Sequence, residues 1–216
     1  IVNYKPTQVA APGTYLVITG AQYVDVLQPL VDWKRRKGWH VKVVTLDEIG
    51  GTPVDIRNYI ANMYQADNLE YVLLVGDVDC VPAFTNQVGC PVSDHPYSMI
   101  DGDDFLPDIL IGRLSVANEA ELNTVVAKIL GYDRSPYMDD TLWYKRGLMV
   151  GGNYPEFMTT ALATKRWIRQ LLLEHGFTAV DTVFYPPITD GGPFITGYVD
   201  EGVTFVNYRA GRAWYW

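Results

Sequence analysis

The chain has 216 residues, 48% of them apolar, enough for one sizeable core or two small ones. Acidic residues outnumber basic ones by 25 to 17, and the formal charge of -8 repels nucleic-acid phosphate and anionic lipid, which argues against a nucleic-acid partner. No apolar run approaches the roughly 20 residues that span a bilayer, so no transmembrane segment is expected. The first residues, Ile1-Val2-Asn3-Tyr4-Lys5, lack a signal-peptide pattern, so the sequence reads as soluble, or as a mature or excised piece.

Apolar runs alternate with amphipathic stretches, the pattern of an α/β protein with mostly parallel sheets flanked by helices. A strand at 15–19 leads to a helix over 25–37, where Val26, Leu27, Leu30 and Val31 recur at helical spacing and Gly38 supplies the stop. A strand at 41–45, a helix over 53–65 and a strand at 71–75 follow. After a polar stretch, a strand at 109–114 runs into a helix over 118–130, opened by Asn118 with Glu121 three residues on, a capping-box pattern. Residues 133–141, with Ser135-Pro136 and Asp139-Asp140, carry no apolar pattern and divide the chain into subdomains 1–134 and 141–216. The second subdomain opens with a strand at 147–150 and a helix over 157–175 that stops at Gly176. Strands at 179–184 and 203–208 complete it. Most of these strands are continuous runs of Val, Ile, Leu and Tyr, as expected where helices cover both faces of a sheet.

Three carboxylates stand within four residues at Asp101-Gly102-Asp103-Asp104, with Asp108 shortly after. Carboxylates this close repel one another unless a cation, an Arg or water offsets them, and hard oxygen ligands in a Gly-containing turn suit calcium. The spacing is not that of an EF-hand, and a solvated acidic turn is the alternative. Asp77 and Asp79 follow the strand at 71–75, where ligands collect in parallel sheets, although capping and turn formation account for each alone. Cys80 and Cys90 bracket one turn-rich loop and are expected to pair as a disulfide. Of the three histidines, His40 begins a strand, His175 ends a helix and His95 lies in a loop before Pro96. None of them makes a convincing thiol-activating pair with either cysteine. No Gly-x-Ser-x-Gly elbow or zinc motif occurs.

Several segments together resemble the gingipain family of cysteine peptidases. They are Leu16-Val17-Ile18-Thr19 with Val31-Asp32-Trp33-Lys34-Arg35-Arg36-Lys37-Gly38-Trp39, then Tyr71-Val72-Leu73-Leu74-Val75-Gly76-Asp77 with Val81-Pro82. Next come Ser93-Asp94, Tyr97, Asp101 to Asp104 and Ile111-Gly112-Arg113-Leu114, and finally Val206-Asn207-Tyr208. The resemblance implies a caspase-like α/β fold of two subdomains, a thiol endopeptidase acting on protein or peptide substrates, and a secreted or cell-envelope location. It also implies calcium near the Ile-Gly-Arg strand, where Asp104 and Asp108 match acidic positions and Asp101 opens the turn.

The sequence departs from the family where the chemistry sits. The catalytic His of the family lies in an Asn-Tyr-x-Gly-His-Gly stretch at the end of a strand, and the nucleophilic Cys follows the next strand. Here Asn207-Tyr208-Arg209 matches, but Ala210-Gly211-Arg212 stands where Gly-His-Gly would be, and neither Cys80 nor Cys90 matches the nucleophile. No catalytic residue is therefore assigned. Either the polypeptide continues past Trp216 and supplies a cysteine on a further strand, or the chain is a non-catalytic binding or scaffold module of the same fold. The first is the expectation, because a sheet ending at Tyr208 leaves an apolar edge uncovered. A nucleotide-binding, flavodoxin-like reading fits the βα alternation but lacks its phosphate loop, since Thr19-Gly20-Ala21 offers one glycine.

Overall fold

The computed structural model describes residues 13–87, 90–152 and 160–209, with side chains at 86, 87, 90, 91 and 160 also outside the description. The chain divides into two units, residues 1–136 and 137–216.

The first unit is built on four parallel strands in the order β2-β1-β3-β6: β1 Thr14–Thr19, β2 His40–Thr45, β3 Leu69–Val75 and β6 Leu110–Leu114. Successive side chains on a strand point to opposite faces, and both faces here are apolar. Leu16, Ile18, Val44, Val72 and Leu74 pack with Ile56, Ile60 and Met63 of helix α3, Pro53–Ala66. On the other face Val17, Val41, Leu73 and Val75 meet Leu27, Leu30 and Val31 of α1, Val24–Arg36, and Leu122 and Val126 of α4, Glu119–Arg134. Asp133 ties the two helices on that face, accepting from Trp33 Nε1 at 2.7 Å and from Lys37 Nζ at 2.9 Å. A short helix α2, Leu46–Ile49, precedes α3.

The predicted ends of these helices are observed. The α1 helix closes at Gly38, whose φ of 96° is open to glycine without strain, with the Trp39 amide donating to Lys34 O at 3.2 Å. Asn118 caps α4 by accepting from the Glu121 amide at 3.0 Å. An antiparallel hairpin, β4 Phe84–Gln87 and β5 Cys90–Ser93, was not foreseen.

The second unit carries three parallel strands in the order β8-β7-β9: β7 Arg146–Gly152, β8 Ala179–Tyr185 and β9 Phe205–Arg209. Helix α5, Thr160–Glu174, packs on one face, and helix α6, Gly192–Asp200, packs on the other, where Ile195 joins Leu148, Val150 and Val183. The sequence reading had no helix over Gly192–Asp200. It began α5 at Phe157, which lies outside the described residues.

Candidate functional site

The acidic turn of residues 101–108 is exposed throughout, and its carboxylates serve the turn's own backbone. Asp108 Oδ2 accepts from the amides of Ile100 at 2.7 Å and Asp101 at 2.9 Å. The Asp101 amide first, and the Ile100 amide with it, hold the Asp108 carboxyl below the usual carboxylate range. Asp104 Oδ1 accepts from the Leu106 amide at 2.8 Å, and Gly102 takes the positive φ of 74° that the bend requires. Asp101 lies against Tyr64, where its charge, with some help from burial, pushes the phenol up. The donors are chemically those calcium takes. Among the described residues, however, no three His, Cys, Asp or Glu side chains converge as a metal-holding set. The repulsion expected within the turn is thus offset in part by backbone N–H groups. Arg113, the nearest base in sequence, is engaged elsewhere.

Arg113 Nε and Nη2 donate to the two Asp94 oxygens at 2.8 and 2.7 Å, and Nη1 donates to Gly76 O at 2.8 Å and Val81 O at 2.7 Å. This planar fork fastens the loop after β3 to the loop before β6, and a lysine has no equivalent geometry. Tyr97, fully buried beside it, donates to Pro82 O at 2.5 Å. Cys80 sits in the fastened loop as a free thiol, so the disulfide expected with Cys90 is not formed; the Cys90 side chain lies outside the described residues. Gly76, at φ 125°, lets the chain turn against Cys80, whose Cβ would stand 2.8 Å from an added Cβ. Gln22 Nε2 donates to Cys80 Sγ at 3.6 Å.

Each histidine is held by another partner. His40 Nδ1 meets Thr14 Oγ1 at 3.3 Å, His95 Nε2 meets Phe105 O at 3.0 Å, and His175 Nδ1 meets Leu171 O at 2.7 Å. Asp77 Oδ1 accepts from the Val78 amide at 2.8 Å and so acts as a turn residue.

The second unit gathers different chemistry at the carboxyl end of its sheet. Met149, Gly151, Asn207 and Arg209 fall on the α5 face by alternation, opposite the face of Leu148, Val150 and Val206. Gly151 admits the helix closely: an added Cβ would lie 2.9 Å from Leu162 Cδ2 and 3.4 Å from Lys165 Cγ. Lys165, only 3% exposed, donates from Nζ to Asn207 Oδ1. Burial, with the charge of Arg209 adding to it, pushes the ammonium below the ordinary lysine value. Sequence reasoning passed over Lys165. The available signal was a lysine four residues after Ala161 and three before Ile168, on the apolar stripe of an amphipathic helix.

The profile of peptidase family C25 matches residues 8–213. Lys-gingipain W83 of Porphyromonas gingivalis is 30% identical over 209 residues, covering 92% of this chain and 12% of that protein. Gingipain R2 of the same species is 27% identical over 215 residues, covering 95% and 28%. Among solved structures, the Arg-specific cysteine proteinase gingipain R superposes with a TM-score of 0.83 at 26% identity, over 96% of this chain and 49% of that one. The complex of Porphyromonas gingivalis RgpB pro- and mature domains gives 0.82 at 26% identity, over 92% and 48%. The chain therefore spans about half of these solved chains and under a third of these curated relatives.

Proposed function

The chain belongs to peptidase family C25, the gingipain-type cysteine peptidases with a caspase-like α/β fold of mostly parallel sheets flanked by helices, and on that premise we propose that it is part of a region that hydrolyses peptide bonds. The observation that carries this reading is the place of Asn207-Tyr208-Arg209. It forms the end of β9 in a parallel sheet, at the edge where loops of such sheets carry ligands and chemistry.

Thiol peptidases need a thiolate to attack the carbonyl carbon, a base to take the thiol proton, and donors for the oxyanion. In this sequence Gly211 takes the place of the family's histidine and has no group to accept a proton; residues 210–216 lie outside the described residues. Cys80 belongs to the first unit's loop and pairs with Gln22, not with a histidine. Residues 1–216 accordingly supply the scaffold and the β9 edge, and supply no base in the family's position.

Gly211 also favours a second reading, a non-catalytic binding or scaffold module. Incubating the 216-residue chain, and the longest polypeptide that carries it, with unstructured protein and short peptides separates the two. The shorter chain is expected to give no hydrolysis, and the longer one hydrolysis that thiol alkylation abolishes. Cleavage by the shorter chain that requires Cys80 or Cys90 would overturn the assignment, and inactivity of both would leave the module.

A secreted or cell-envelope location is part of the same proposal, supported by the resemblance. Among the described residues no helix is long and apolar enough to cross a membrane. Calcium at Asp101, Asp104 and Asp108 is a separate proposal, supported by hard oxygen donors and by carboxylates that each spend only one oxygen on the backbone in Asp104 and Asp108. A site of this kind needs main-chain oxygens and water to complete it. A ligand bound to the native turn stabilises by mass action, so calcium is expected to raise the melting temperature above that in chelator, and Asp104→Asn to diminish the difference. Equal melting temperatures in both would leave a self-capped acidic turn.

A further inference from the structure

The α5 face of the second sheet holds positive charge without an acidic partner among the described residues. Lys165 is 3% exposed and an ammonium has three donors, of which one goes to Asn207. Arg209 lies two residues further along β9 on the same face, reaching the surface, and its charge acts on Lys165. Among the described residues no carboxylate stands within 4 Å of either cation. The chain has 25 acidic residues against 17 basic, so acids are not scarce, yet none of the described ones pairs with these two cations. Burying an ammonium beside a guanidinium is costly unless an anion joins them.

We propose that Lys165 and Arg209 form an anion subsite at the carboxyl end of β7 and β9, and that its occupant is a carboxylate carried by a peptide. Gly151 clears the space in which the lysine stem lies, the helix brings the ammonium under the strand ends, and Asn207 fixes its position. Arg209 continues the positive charge outward, giving an incoming carboxylate a graded path from surface to buried cation. The preference this creates is opposite in charge to the arginine for which the solved relative is named. The identity of the occupant rests on the peptidase reading above, whereas the anion subsite rests on the two cations alone.

The test is direct binding of the 216-residue chain to four short peptides, followed by calorimetry. Three have both ends blocked and differ in a central Glu, Gln or Lys; the fourth has central Gln and a free terminal carboxylate. Tighter binding of the Glu peptide identifies a side-chain carboxylate, and tighter binding of the free-ended peptide identifies a terminus. Either is expected to exceed the blocked Gln peptide by about tenfold or more. Arg209→Gln, at an exposed position, is expected to remove most of that preference while leaving the melting temperature unchanged. Lys165→Met should remove it too, and because that variant also touches the fold, Arg209→Gln decides. Equal binding of Glu, free-ended and Gln peptides, preference for Lys, no binding at all, or a preference that survives Arg209→Gln would each overturn the subsite. Binding is read apart from hydrolysis, so acid-selective binding by this chain keeps the subsite even where the longer polypeptide proves inactive, and hydrolysis by the longer polypeptide keeps the peptidase reading even where no acid selectivity is found.

Discussion

Lys165 sits where an aliphatic side chain would pack most simply, and its amine meets an amide instead of an acid. Desolvation disfavours its charged form, so its native pKa lies below the 10.5 of an exposed lysine. Between the native value and 10.5 the unfolded chain binds more protons than the folded one, and in that window stability rises with pH. Below the native value both states are protonated and the folded state carries the full penalty. The expected outcome follows for the melting temperature of the protein measured against Lys165→Met between about pH 7 and about pH 10. The difference should move in favour of the unmodified chain as pH rises, because the variant has no amine to deprotonate and other groups cancel. A difference that stays flat would mean the ammonium keeps its solvation.

The acidic turn shows how residue-level reading can find the right residues and miss their work. Four carboxylates in eight residues were plain in the sequence, as was the need to offset their repulsion. That Asp108 and Asp104 would turn back onto backbone amides depends on a bend set by Gly102 and by the chain returning to β6, which spacing does not encode.

At the scale of elements, strands buried on both faces announce themselves as unbroken apolar runs, and β1, β2, β3 and β7 were legible for that reason. The hairpin was not, because Phe84-Thr85-Asn86-Gln87 and Cys90-Pro91-Val92-Ser93 lack a clean alternation and carry a proline. Helix α6 was hidden by Gly192, Pro193 and Gly197, which lower helix propensity; burial of Ile195 against β7 and β8 overrides it. Contact between elements sets the sign of glycine substitutions in the same way. Gly151→Ala places a methyl 2.9 Å from Leu162 Cδ2 and 3.4 Å from Lys165 Cγ, so these two buried side chains must shift to admit it. A loss of about 1–3 kcal/mol is expected by denaturant unfolding. Gly131→Ala, inside α4 with nothing within 4 Å of the new carbon, should instead gain roughly 0.5–1 kcal/mol through backbone entropy. If both substitutions shift stability in one direction, close helix packing is not what keeps Gly151.

For the molecule as a whole, the two units differ in how much apolar surface they remove from water. Among the described residues the first unit has two clusters, of twelve and eleven buried side chains, one on each face of its sheet. The second has a cluster of four on its α6 face, with Met149, Ala161, Leu162 and Val180 also buried, and leaves Trp167 and Phe194 more than half exposed. Its sheet has three strands, so β8 and β9 each present an edge with no strand partner among the described residues. Burial must exceed the entropy of ordering the chain, and a single small core in roughly 70–80 residues rarely does so. Expressed separately, residues 1–136 are therefore expected to fold and melt in one sharp transition. Residues 137–216 are expected to show residual helix with a broad, weakly cooperative melt and exposed apolar surface that binds a hydrophobic dye. Circular dichroism and calorimetry on the two pieces and the intact chain check this. A sharp transition of the isolated second piece, at the temperature seen for it within the intact chain, would mean that its few buried contacts suffice, and that the difference between the cores does not govern stability.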